Sequence, residues 1–201
     1  MAKKKKVLSK KHHFESNKFL LVLLIFLGFI LVMTYANINF KKEKSYSHEE
    51  IISSVNSSTV TIPDTSFAVG LTDGKADFSD PLVEGSVVVS DPFYTVKNGE
   101  VYDVFAVMTY NTGGSGEFVN VALFQVVKGK AIFRGSYPVG DRVIVDDITK
   151  SLGEYEDGYA IDVNYVDRTA DESMADEPTD FRTLTLEIKN HMIVTPELTE
   201  E

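Results

Sequence analysis

The sequence predicts an all-β domain, an antiparallel sandwich or barrel-like fold, behind one N-terminal transmembrane helix. Three observations predict it. An uncharged apolar run, FLLVLLIFLGFILVMTY, fills Phe19–Tyr35. Beyond Ile62 the hydrophobic pattern has period two, with turn residues at short intervals. No stretch after Val60 carries a convincing helical stripe.

The first element is the apolar run. Seventeen helical residues rise roughly 25 Å, near the short limit for crossing a hydrocarbon core of about 30 Å. Seven Lys and one Glu precede or border it within residues 1–18, a charge of +6. Basic flanks stay cytoplasmic, so residues 1–18 read as a cytoplasmic tail and 19–36 as a signal anchor contacting membrane lipid through Phe19–Tyr35. The chain beyond the anchor is then extracytoplasmic. Thr34-Tyr35-Ala36 also fits a small-x-small cleavage site, so signal-peptide cleavage after Ala36 is the rival fate. Residues 37–62 are charged and polar with no net charge, and read as a tether, with Glu49–Val55 able to form a short helix. Residues 63–201 carry a charge of -16. That opposes binding to phosphate backbones, so nucleic acid is not an expected partner.

Within 63–195, Phe181–Lys189 alternates cleanly: Leu184, Leu186 and Ile188 face one way, and Thr183, Thr185, Glu187 and Lys189 the other. Tyr159–Asp167 alternates too, with Tyr159, Ile161, Val163 and Tyr165 against Ala160, Asp162, Asn164 and Val166. Tyr102–Tyr110 and Phe118–Val127 are apolar on both faces and are expected as central strands covered on each side. Ala131–Tyr137, Ser86–Ser90, Phe67–Leu71 and Met192–Thr195 are shorter candidates. Asn98-Gly99, Lys128-Gly129, Asp157-Gly158 and Asn190-His191 are the expected turns. Asp146–Leu152, with its acidic start, reads as one or two helical turns. Residues 196–201 form an acidic tail. With no Cys, disulfide scaffolds, thiol catalysis and Cys-based zinc sites are excluded.

The candidate site is a polar corner made of Asp141, Arg142, Asp162, Asp167 and Arg168. Two Asp-Arg steps beside strands suit either an anion- or carbohydrate-binding corner or a structural ion pair at a sheet edge. If Asp141, Asp162 and Asp167 converged, they would offer a general acid/base pair. NTGGSGEF at Asn111–Phe118 is a glycine-rich loop between strands, without the helix N-terminus that phosphate binding needs, and reads as a hairpin loop. Asp73–Asp80 and Asp167–Glu177 are acidic but miss the glycine and ligand spacing of a calcium loop. His48 and His191 have no catalytic partner in the sequence pattern, and no GxSxG elbow surrounds a serine. No catalytic residue, cofactor or metal ligand is assigned.

Three motifs stand in order: GGSGEF (Gly113–Phe118), VGDRV (Val139–Val143) and VNYVDR (Val163–Arg168), followed by Met174. In these the chain resembles exported or membrane-anchored bacterial β-domain proteins, some of them lipoproteins. The lipoprotein members carry a Cys that this chain lacks. The resemblance implies an exported β domain and supplies no activity or ligand. The expectation is a membrane-anchored extracytoplasmic β module with a binding or accessory role in the cell envelope, its partner an envelope protein or glycan. The alternatives are an exported cell-wall glycan or peptide hydrolase using paired Asp residues, and a calcium-dependent surface adhesion module.

Overall fold

A computed structural model describes residues 18–35, 45–65, 67–79, 83–153, 155, 158–169, 171–173 and 177–194. The chain divides into two units, Met1–Lys44 and Ser45–Glu201.

In the first unit, helix α1 spans Lys18–Tyr35. Its mean hydropathy is 2.5 and none of it is buried, which distinguishes it from the core helix of a soluble domain. Leu, Ile, Val and Phe surround it on all sides, so it has no polar face. Near its end, Thr34 Oγ1 bonds back to the Ile30 and Leu31 carbonyls at 2.9 Å, which satisfies that hydroxyl within the helix. This helix is long and apolar enough to be a membrane span or a signal sequence.

The second unit opens with helix α2 (His48–Asn56). Ser47 caps it in a capping box: Glu50 N donates to Ser47 Oγ (3.2 Å) and Ser47 N donates to Glu50 Oε2 (2.8 Å). Ile51 and Val55, one turn apart, are buried. Strands β1 (Thr59–Thr61) and β2 (Ala68–Gly70) then pair. A five-stranded antiparallel meander comes next in chain order: β3 (Lys75–Ser79), β4 (Glu84–Asn98), β5 (Val101–Asn111), β6 (Phe118–Val127) and β7 (Lys130–Asp141). The last sheet is also antiparallel, in the order β11 (Met192–Val194), β10 (Asp180–Lys189), β9 (Gly158–Asp167), β8 (Ile144–Lys150). The two-residue turns Asp73-Gly74, Lys128-Gly129 and Asn190-His191 have positive φ at both positions, matching the right-handed strand twist.

Strands β5 and β6 explain the packing. On one face Val104, Ala106, Met108, Ala122, Phe124 and Val126 cluster with Ile51 and Val55 of α2 and with Val60 and Ile62. On the other, Phe105, Val121 and Leu123 cluster with Ile148, Ile161, Val163, Leu186 and Ile188 of the four-stranded sheet. Covered on both sides, these strands have no face left for polar alternation.

Three expectations change. The sheets end at β3, β7, β8 and β11 without closing, so the barrel is not formed. Asp146–Leu152 is not helical: Ile144–Lys150 is strand β8, with a bulge between Val145 and Asp147. The acidic pair sits at that bulge, where Asp147 Oδ1 accepts from Ile148 N at 2.8 Å. Finally, Ser45–Ile62 is not a spacer. Ser54 Oγ donates to the Gly129 carbonyl (3.0 Å) and accepts from Ala131 N (2.7 Å), clipping α2 onto the β6–β7 turn. Residues 36–44 and 195–201, which include the start of the expected tether and the acidic tail, lie outside the described residues, as do residues 1–17 and Asp157 of the expected Asp157-Gly158 turn.

Candidate functional site

The three sequence motifs meet at one end of the two larger sheets. The glycine-rich loop joins β5 to β6 and is tied to the end of β7: Glu117 N donates to Asp141 Oδ1, and Arg142 N donates to the Glu117 carbonyl, both at 2.8 Å. Arg168, just past β9, donates from Nη1 to the Arg142 carbonyl at 3.0 Å. Asp167 Oδ1 accepts from Arg168 N (2.7 Å), while its Oδ2 pairs with Arg182 Nη1 (2.9 Å). Arg182 in turn holds Asp180 at 2.8 Å. Asp141, Arg142, Asp167 and Arg168 are therefore linked through short contacts.

Asp162 is not part of this corner. It lies on the same face of β9 as Ala160, Asn164 and Val166, opposite the core-facing Ile161 and Val163, and accepts from Thr185 Oγ1 at 2.8 Å. Asp167 is five residues on, about 16 Å along the strand at roughly 3.3 Å per residue, and on the other face. Paired-carboxylate glycosidases need about 5–9.5 Å between the two groups. Asp162 and Asp167 do not make such a pair.

Beside the corner is an open cleft of about 440 Å³. Val107, Val119 and Val143, a small buried cluster, lie in its lining with Thr109, Ile144 and Val145. Arg142, Arg168, Glu117 and Glu177 supply its charges. The chain has four arginines. Arg134, Arg168 and Arg182 each donate a side-chain hydrogen bond. Among the described residues the Arg142 guanidinium makes none, although its backbone is bonded on both sides and held at φ 55°. An uncommitted guanidinium over an apolar floor can receive an oxyanion bidentately.

A second polar cluster escaped the sequence patterns. Asp103, on β5, is fully buried. Its Oδ2 accepts from the Tyr159 hydroxyl at 2.8 Å, and His191 Nδ1 lies 2.7 Å from Oδ1 and 2.9 Å from Oδ2. A carboxylate accepts only, so Nδ1 of His191 carries the proton. Burial, and then the bond to Asp103, hold the Tyr159 phenol well above its ordinary range. The cluster links β5 of one sheet to β9 and the β10–β11 turn of the other. The signal was present: an Asp inside YDVFAVMTY, a run expected to be covered on both faces, requires partners.

The acidic segments are placed elsewhere. Asp73-Gly74 is a tight turn and Lys75–Ser79 is strand β3, so that stretch does not form a ligand loop; Asp80 lies outside the described residues. Asp77 and Glu84 line a second open hollow of about 580 Å³ with Ser86 and Asn111, where Asn111 Nδ2 donates to Ser86 Oγ at 3.0 Å. In Asp167–Glu177, Glu172 accepts from Thr179 Oγ1 and from Thr169 N, which holds its carboxyl below the usual range. Met174 lies outside the described residues. Among the described residues no group of three His, Asp or Glu is placed to hold a metal ion.

Comparison of the chain with protein-family models, with curated proteins and with solved structures finds no match.

Proposed function

We propose that this protein is a single-pass membrane protein whose β domain sits on the extracytoplasmic side and binds a partner there, without turnover. The carrying observation is α1: eighteen residues of mean hydropathy 2.5, none of it buried. Such a helix takes lipid for its solvent. The lysines at 3–6, 10, 11 and 18 favour a cytoplasmic N-terminus. The two larger sheets serve as the leaves of a sandwich, and the cleft at their end, where the three motifs converge, is the binding site. Its occupant is an envelope protein or glycan. This agrees with the resemblance to exported bacterial β-domain proteins.

Protease added to intact cells tests the topology. Digestion of the C-terminal domain, with a protected fragment that still begins at the native N-terminus, is the expected result. A mature chain starting after Ala36 would replace the anchor with a cleaved signal. Full protection of the domain in intact cells, with digestion only after lysis, would overturn the proposal.

A further inference from the structure

We propose that Arg142 anchors the carboxylate of a short peptide bound in the cleft, with the valine floor taking an apolar side chain. The inference rests on the cleft being a binding site and names its ligand class.

Four observations converge. Arg142 lines the cleft and its guanidinium has no protein partner among the described residues, whereas the other three arginines are engaged. Its backbone is fixed by Glu117 and Arg168 at φ 55°, a left-handed conformation that glycine adopts more easily than arginine. At that position the cationic residue lines the concavity instead of packing in the core. The cleft volume of about 440 Å³ is in the usual range for small ligands, roughly 300–1,000 Å³. Val107, Val119 and Val143 give it an apolar floor.

The charges narrow the ligand. Glu117 and Glu177 share the lining with Arg142 and Arg168, and residues 63–201 carry -16. A dianion such as phosphate meets two carboxylates and an unfavourable domain field. A monocarboxylate bearing N–H donors does better: its carboxylate matches the planar fork of Arg142, and its amides can donate to the glutamates. The C-terminal end of a peptide combines that carboxylate, those donors and an apolar side chain.

The test titrates full-length protein in detergent micelles with acetyl-Ala-Val as the free acid, with the same dipeptide as its C-terminal amide, and with inorganic phosphate. The acid is expected to bind at least tenfold more tightly than the amide and than phosphate. Arg142→Gly is the informative variant, because glycine suits φ 55°. It should melt at the wild-type temperature or above and bind the acid at least tenfold more weakly. Arg142→Gln should lose affinity similarly. Equal affinity for acid and amide, tighter binding of phosphate, or full affinity in Arg142→Gly would each overturn the assignment. Binding in micelles does not depend on membrane sidedness, so this outcome is separable from the topology experiment. Hydrolysis of the dipeptide would overturn the non-catalytic function while leaving the site in place.

Discussion

A carboxylate with no solvent exposure is costly unless its oxygens are satisfied, and Asp103 is satisfied by two side chains, Tyr159 and His191. The same contacts make Tyr159 a reporter. Its folded pKa is raised above the unfolded value of 10.0, so its contribution is complete below pH 10 and is lost as pH rises beyond it. In that window an unfolded chain releases a proton that the folded chain keeps, and stability falls by at most about 1.4 kcal/mol per pH unit. Tyr110 is raised as well, by burial and by Asp64, but it is common to wild type and variant. Tyr159→Phe should therefore unfold with a shallower loss between pH 10 and 11 than wild type. At neutral pH it should be less stable by about 1–3 kcal/mol, since one buried acceptor loses its donor. Urea titrations at the three pH values measure both effects, and parallel pH dependence in the two proteins would refute the role given to this phenol.

At the scale of elements, the legibility of each one in the sequence depends on how much burial it carries. Leu184, Leu186 and Ile188 alternate against polar residues, and of these Leu186 and Ile188 are fully buried while Leu184 packs on the same cluster. β5 and β6 are recognisable because both of their faces are covered. α2 looks like part of a spacer because two buried side chains, Ile51 and Val55, are embedded in a polar nine-residue helix. β8 resembles a helical turn because its bulge interrupts the alternation and leaves Ile148 as its one buried residue. In the site, four of five residues come together because they sit where motif-bearing strands end, whereas Asp162 is separated by strand parity, which the alternation of β9 already implies. The status of α2 is testable by a matched pair. Ile51→Ala should cost about 2–5 kcal/mol, as for a fully buried aliphatic side chain, while Ile52→Ala, half-buried, should cost less. Denaturant midpoints decide the matter: if both changes fell within about 0.5 kcal/mol of wild type, the helix would be the solvated spacer that its composition suggests.

For the molecule as a whole, the boundary between the apolar N-terminal helix and the β domain fixes what folds. Polar composition puts that boundary near residue 63, whereas the chain divides at Ser45. The difference is physical. A chain beginning at Pro63 lacks α2, β1 and Ile62, whose Ile51, Val55 and Val60 cover Val104, Ala106, Met108 and Phe124 on one face of the five-stranded sheet. Each aliphatic side chain so uncovered forfeits about 1.5–3 kcal/mol of burial, and several such losses approach the whole stability of a typical domain, about 5–15 kcal/mol. The residual sheet would also present an apolar face of the kind that drives association. Residues 45–201 should therefore unfold cooperatively in urea at the midpoint that the full chain shows in micelles, and remain monomeric in light scattering. Residues 63–201 should aggregate, or unfold at a far lower midpoint with strong binding of a hydrophobic dye. Equal midpoints for the two truncations would mean that the helical cap and β1 contribute nothing to the core they cover, and the domain would begin where its polar leader ends.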